Sequence, residues 1–231
     1  RINMATLTFA KGFETISVMR DEIVQALWET FVMVGLSTVV ATVFGTLLGI
    51  LLFVTSSQQL YYNRPVNLVL DNIVNLMRAF PFVILMIAMI PATRTIVGST
   101  IGPVAASLVL SVSGLFYFAR LVEQNLREVP KGIIEAAISM GAAPMTIIRK
   151  VLINEARAGM VYSVTVLAIG LLSYSAAAGM IGGGGLGDLA IRYGYYRYQT
   201  EVIIFIVAIL VLLVVLMQYA GNLIAQKLDK R

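Results

Sequence analysis

The chain has 231 residues, of which 59% are hydrophobic and 13% charged, with a formal net charge of +5 and a mean hydropathy of +0.89. Soluble domains carry ~25% charged residues, so this sequence cannot cover a water-facing surface, and part of its solvent must be lipid. It has no cysteine and no histidine, which excludes disulfides, thiolate nucleophiles, imidazole bases and the usual zinc sites. The positive charge fits basic membrane-side loops better than nucleic-acid binding.

In chain order, the first ~26 residues hold no continuous apolar core, so no cleavable signal peptide is predicted. Met19, Ile23, Ala26 or Leu27, and Thr30 follow helical spacing and predict an amphipathic lead-in on the outer interface. Five stretches reach the ~20 residues that a helix needs to cross hydrocarbon. They are placed at 28–54, 66–91, 101–119, 158–181 and 202–226. In the first, Ala41, Gly45 and Gly49 recur every four residues; they offer one face for close helix packing or arise by chance. The second carries Asp71, Asn75 and Arg78. The two charges share a face two turns apart, at a shallow depth near Arg64 that suits the interface.

The interval between the third and fourth spans, residues 130–156, is polar. Pro130 suits a helix start, and that helix should run to Met140, where Gly141 breaks it. Pro144 should open a second short helix, with Met145, Ile148 and Leu152 as an apolar stripe beside Arg149 and Lys150. Two short helices at an angle fit a groove on another protein or lie on lipid. In the fourth span, Ser173, Tyr174 and Ser175 are candidates for a translocation path, being polar within an apolar helix. The glycine run that follows contains Gly183, Gly184, Gly185 and Gly187 and cannot hold a stable helix. With Tyr193 and Tyr195 it reads as an outer gate or docking surface, or as a re-entrant turn with an aromatic belt. A phosphate loop is excluded, since no Lys-Ser/Thr follows the glycines.

Basic residues set the orientation. Arg120, Arg127, Lys131, Arg149, Lys150 and Arg157 fall in one loop, on the side of Arg64, Arg78, Lys227, Lys230 and Arg231. Arg1, Lys11, Arg20, Arg94, Arg192 and Arg197 lie opposite. This excess puts the loop and the C-terminus in the cytoplasm and the N-terminus outside. No linker, repeat or soluble second domain is apparent, so one membrane domain over residues 1–231 is expected.

The stretch EAAISMGA, Glu135 to Ala142, resembles the cytoplasmic EAA loop of ABC-importer permeases. NLMRAFPFVILMIAMIPATR, ARLVEQNLREVPKGIIEAAISMGA and GGGLGDLAIRYGYY resemble the methionine-importing members of that family. The likeness runs from about Glu29 to Asn222. It departs at Asn154, where the family pattern has proline, and at Arg157-Ala158, where it has Leu-Pro.

The resemblance implies an all-α type I importer fold with about five spans, in a bacterial inner membrane. It also implies a homodimer seated on two cytoplasmic ATPase subunits, which hold ATP and Mg, and a periplasmic binding lipoprotein that delivers methionine. This chain would hold no cofactor or metal and would not itself be an enzyme. Coupling to the ATPases would fall to Glu135, Ala136, Ala137, Gly141, Ala142, Met145, Ile148 and Arg149. A permease for another small amino acid or related solute is the near alternative. From a different class, an ion-gradient-driven secondary transporter needs a deep ionisable group, and Asp71 is the sole candidate. A lipid enzyme has no catalytic set to draw on.

Overall fold

The computed structural model describes residues 17–57 and 59–228. Arg1, Lys11, Lys230 and Arg231, counted for orientation, lie outside these residues, as does most of the stretch read for a signal peptide. Among the described residues every regular element is helical.

Helix α1 spans Arg20–Thr55, about 54 Å at 1.5 Å per residue. Its opening turns, expected as an amphipathic lead-in to the first span, are continuous with it, and Met19, Ile23 and Ala26 bury against Leu186, Leu189, Val202 and Ile206. The helical spacing was right, and the partner is protein.

Helix α2, Arg64–Ala79, begins where Asn63 accepts a hydrogen bond from the Val66 amide and a proline occupies the first turn. It ends at Phe80, which is extended (φ −69°, ψ 126°), the geometry favoured before a proline. Helix α3, Phe82–Ala88, is bent from α2 by 101°. Helix α4, Ile90–Val97, is closed by Gly98 at φ 79°. The continuous span expected over 66–91 is therefore broken at Pro81, whose ring removes one backbone donor and clashes with the preceding turn. Among the described residues four helices are long and apolar enough to cross a membrane, or five if the bent α2–α3 pair is one span.

Helix α5 is Pro103–Arg127, longer than the stretch 101–119 expected from apolar content. Glu123, Asn125 and Arg127 extend it because their side chains find partners on neighbouring turns. Helix α6 is Lys131–Ser139. The segment Pro144–Gly183, α7, corrects a second expectation. The helix opened by Pro144 is not a separate short element. It passes through a wide π turn at Ile147–Leu152 directly into the fourth span. With asparagine at 154 in place of a proline, nothing interrupts the ladder. The segment Gly185–Leu189, α8, continues as a wide turn, Ala190–Tyr195. Helix α9 is Thr200–Leu228.

The chain divides into two compact units. In the first, Ser17–Leu36 pack with Val83–Leu110 and Leu171–Leu216 around the Met19–Ile206 cluster. The second comprises Ser37–Phe82, Ser111–Gly170 and the C-terminal turns. Its helices meet at buried Leu52, Val74 and Ala119, flanked by Leu48, Leu70 and Phe116. Here the small-residue ladder packs against α5. A side chain at Gly45 would sit 2.9 Å from the Leu115 carbonyl, and one at Gly49 2.5 Å from that of Ala119. Arg157, a departure from the family pattern, donates from Nε to the Leu228 carbonyl at 3.1 Å. It thereby satisfies one of the orphan acceptors at the end of α9.

Candidate functional site: the 130–156 loop and the polar contacts of the spans

The turn after α6 follows from Gly141. The Ala142 amide donates to the Ala137 carbonyl at 3.1 Å, and the Gly141 amide donates to that of Ile138 at 2.9 Å. That pair of bonds with a left-handed residue between them is a Schellman motif, and Gly141 sits at φ 75°. Ala143 is extended and Pro144 starts the next helix. Glu135, Ala136, Gly141, Met145 and Arg149 are exposed and Ala142 is half-buried. Ala137 and Ile148 are buried, as is Leu152. The expected stripe of Met145, Ile148 and Leu152 therefore splits. Ile148 and Leu152 turn inward on the π turn, which contacts α6, and Met145 faces out. Met140 at 81% and Ile138 at 53% exposure also face outward.

The polar group on α2 has a different cation from the one expected. Asp71 accepts from Arg120 at 2.6 Å and from Asn75 at 3.0 Å, while Arg78 is exposed on the same helix. The Arg120 guanidinium also donates to Asn75 at 2.8 Å and to Glu123 at 2.6 Å. Glu123, whose side chain is only 4% exposed, accepts from Arg127 as well, at 2.7 Å. Two carboxylates thus balance two guanidinium groups across α2 and α5. Sequence reasoning missed Arg120 because it lies 49 residues from Asp71. The available signal was an arginine placed at the edge of an otherwise uncharged span.

The glycine run is packed. Gly183, Gly185 and Gly187 are buried and Gly184 is half-buried. Gly184 and Gly185 hold φ of 77° and 80°, which breaks the helix, and Gly187 lies against the backbone of Ala176. The amides of Gly185 and Leu186 donate to Glu29 Oε2 at 2.7 Å and to Thr30 Oγ1 at 2.9 Å. The start of α8 is thereby capped from α1, an arrangement with no local sequence signature. Tyr193 donates to Glu22 at 2.9 Å, and the Arg197 guanidinium lies 4.4 Å from its ring centre. The hydrogen bond to Glu22, then burial, raises the Tyr193 pKa above its ordinary 10.0. Tyr195 is 68% exposed. Ser173, Tyr174 and Ser175 do not share an orientation. Ser173 and Tyr174 are exposed, whereas Ser175 is buried and donates to the Leu172 carbonyl at 2.8 Å.

Residues 41–231 match the profile of the family described as "Binding-protein-dependent transport system inner membrane component". The chain is 44% identical over 228 residues to the "Probable D-methionine transport system permease protein MetI" of Vibrio cholerae, covering 99% of this chain and 100% of that one. It is also 44% identical over 181 residues to the "Methionine import system permease protein MetP" of Bacillus subtilis, covering 78% and 82% of the two chains. Among solved structures, the MetNI methionine ABC transporter in inward-facing conformations matches with a TM-score of 0.90 at 42% identity, over 92% of this chain and 98% of that one. An amino acid ABC transporter shares the fold at 21% identity with a TM-score of 0.77, over 93% of this chain and 98% of that one. The chain belongs to the family of binding-protein-dependent transport system inner-membrane components.

Proposed function

We propose that this chain is the permease subunit of an ATP-driven methionine importer, working by alternating access as a homodimer on two ATPase subunits. The observation that carries the reading is the exposed Glu135–Arg149 surface. Gly141 fixes its backbone, and the helix that Pro144 opens leads without a break into a membrane-spanning segment. A partner that shifts this surface shifts the span. The names of the relatives support methionine as the solute. ATP and Mg belong to the partner ATPase, and a periplasmic lipoprotein delivers substrate. The positive-inside bias supports a cytoplasmic loop and C-terminus and an N-terminus outside. Glu135, Ala136, Gly141, Ala142, Met145 and Arg149 form the coupling surface, with Ala137 and Ile148 as its internal support. Ser173 and Tyr174 are candidates for the path. Tyr195 belongs to the outer docking face, with the buried glycines and Tyr193 shaping it.

An ion-gradient mechanism is disfavoured by the pairing of Asp71. Its carboxylate is already engaged as the counter-ion of the Arg120 guanidinium, at 2.6 Å. The test is methionine uptake in proteoliposomes that contain the chain, the ATPase and the binding protein. Accumulation is expected only with ATP. Uphill uptake driven by a proton gradient without the ATPase would overturn the reading.

A further inference from the structure

The charged network between α2 and α5 is asymmetric. Glu123 lies on the same helix as both arginines it serves, and its side chain is 4% exposed. Asp71 lies on α2, and its side chain is 39% exposed. If α2 withdraws, Arg120 keeps Glu123 as counter-ion. Asp71 is 39% exposed already, so water screens its attraction to Arg120 and takes over its solvation on separation. Asn75 adds the same logic, since it is exposed and bonds to both members of the pair. The buried part of the network holds α5 together, and the exposed part is made to break.

The ends of α2 allow that movement. Extended Phe80 and Pro81 release its C-terminus from the helix that follows. At its N-terminal side, Asn67 donates to the Leu52 carbonyl at 2.9 Å and to the Thr55 hydroxyl at 3.1 Å. That anchors one end to α1. A helix anchored at one end, followed by an extended residue at the other, and held to α5 by a half-exposed ion pair beside one buried valine, Val74, has the mechanics of a hinged gate.

We propose that the Asp71–Arg120 pair is a reversible latch, and that α2 separates from α5 about its Asn67 anchor during each transport cycle. This rests on the functional reading above and assigns to it the moving element and the contact that breaks. Asp71 and Arg120 are positioning residues in this scheme. They set the balance between latched and released states and need not touch the solute.

The absence of native cysteine makes a direct test available. The double variant Val74→Cys/Ala119→Cys places thiols in the buried cluster shared by α2 and α5. In the complete transporter, oxidation should stop ATP-driven uptake while ATPase binding persists, and reduction should restore it. Native uptake in the fully cross-linked protein overturns the latch. Absence of uptake even in the unsubstituted transporter would instead overturn the functional reading.

A single Asn75→Cys variant gives a second readout that does not depend on the cross-link. Its labelling rate by an aqueous thiol reagent should differ between resting and ATP-trapped transporter, and an unchanged rate overturns the proposal. Asp71→Asn keeps an acceptor but loses the charge. It should shift the labelling rate of the resting state about two- to fivefold toward the trapped value, the worth of a half-exposed pair.

Discussion

At the residue scale, Gly141 and Glu29 show two ways in which a backbone is held. Gly141 has open space where a side chain would go but a left-handed backbone. Gly141→Ala should therefore cost about 1–2 kcal/mol through conformation alone, and Gly141→Asn less, as measured by thermal unfolding in detergent. Glu29 supplies the cap that the glycine-rich start of α8 lacks. Glu29→Ala should cost about 1 kcal/mol while Glu29→Gln, which keeps an acceptor, costs less. Equal losses in the two variants would mean that the cap is not the source of the effect. Tyr193 is neutral when it donates to Glu22, and its pKa is raised. Its contribution is fully present below the unfolded value of 10.0 and is lost as pH rises through the higher folded value. Native protein should lose stability above pH ~10 more steeply than Tyr193→Phe. The sequence showed Gly141 as a breaker because a lone glycine interrupts helical spacing. It did not show Glu29 as a cap, because 156 residues separate it from the amide it accepts from.

At the scale of elements, packing between helices decides the outcome. The Gly45–Gly49 face meets α5 backbone within the same chain. Gly49→Leu should destabilise the fold by ~1–3 kcal/mol or more through overpacking, seen as a lower midpoint of unfolding. Gly45→Ala should be milder, since its nearest neighbours are further away. Native stability in Gly49→Leu would show that α1 and α5 are not in this register. Arg120→Ala should cost ~1–3 kcal/mol, because the buried Glu123 carboxylate loses one of its two arginines and keeps Arg127. The ladder was legible because a four-residue period of small residues has a physical meaning, although the partner helix was not. The break at Pro81 was underread: apolar content runs through it, and hydropathy does not register a missing backbone donor. The same limit hid the junction at 144–158, where hydropathy falls but the helix is continuous.

At the scale of the whole molecule, composition alone placed the chain in a membrane, and the loop motif placed it in its family. The partners lie outside a single sequence, so they follow from orientation and coupling. Single cysteines at Arg149 and Tyr195 should be labelled by an impermeant reagent from opposite faces of the membrane; labelling of position 149 from outside intact cells would reverse the topology. If the proposed Glu135–Arg149 surface holds the ATPase, capture of that ATPase from solubilised membranes depends on it. The unsubstituted chain should retain its ATPase. Glu135→Lys should weaken capture by about ten- to over a hundredfold, for a lost charge-assisted contact of ~1.5–3 kcal/mol, and Gly141→Asp should weaken it further while the chain remains inserted. Equal capture by all three proteins would mean that the ATPase binds elsewhere on the chain.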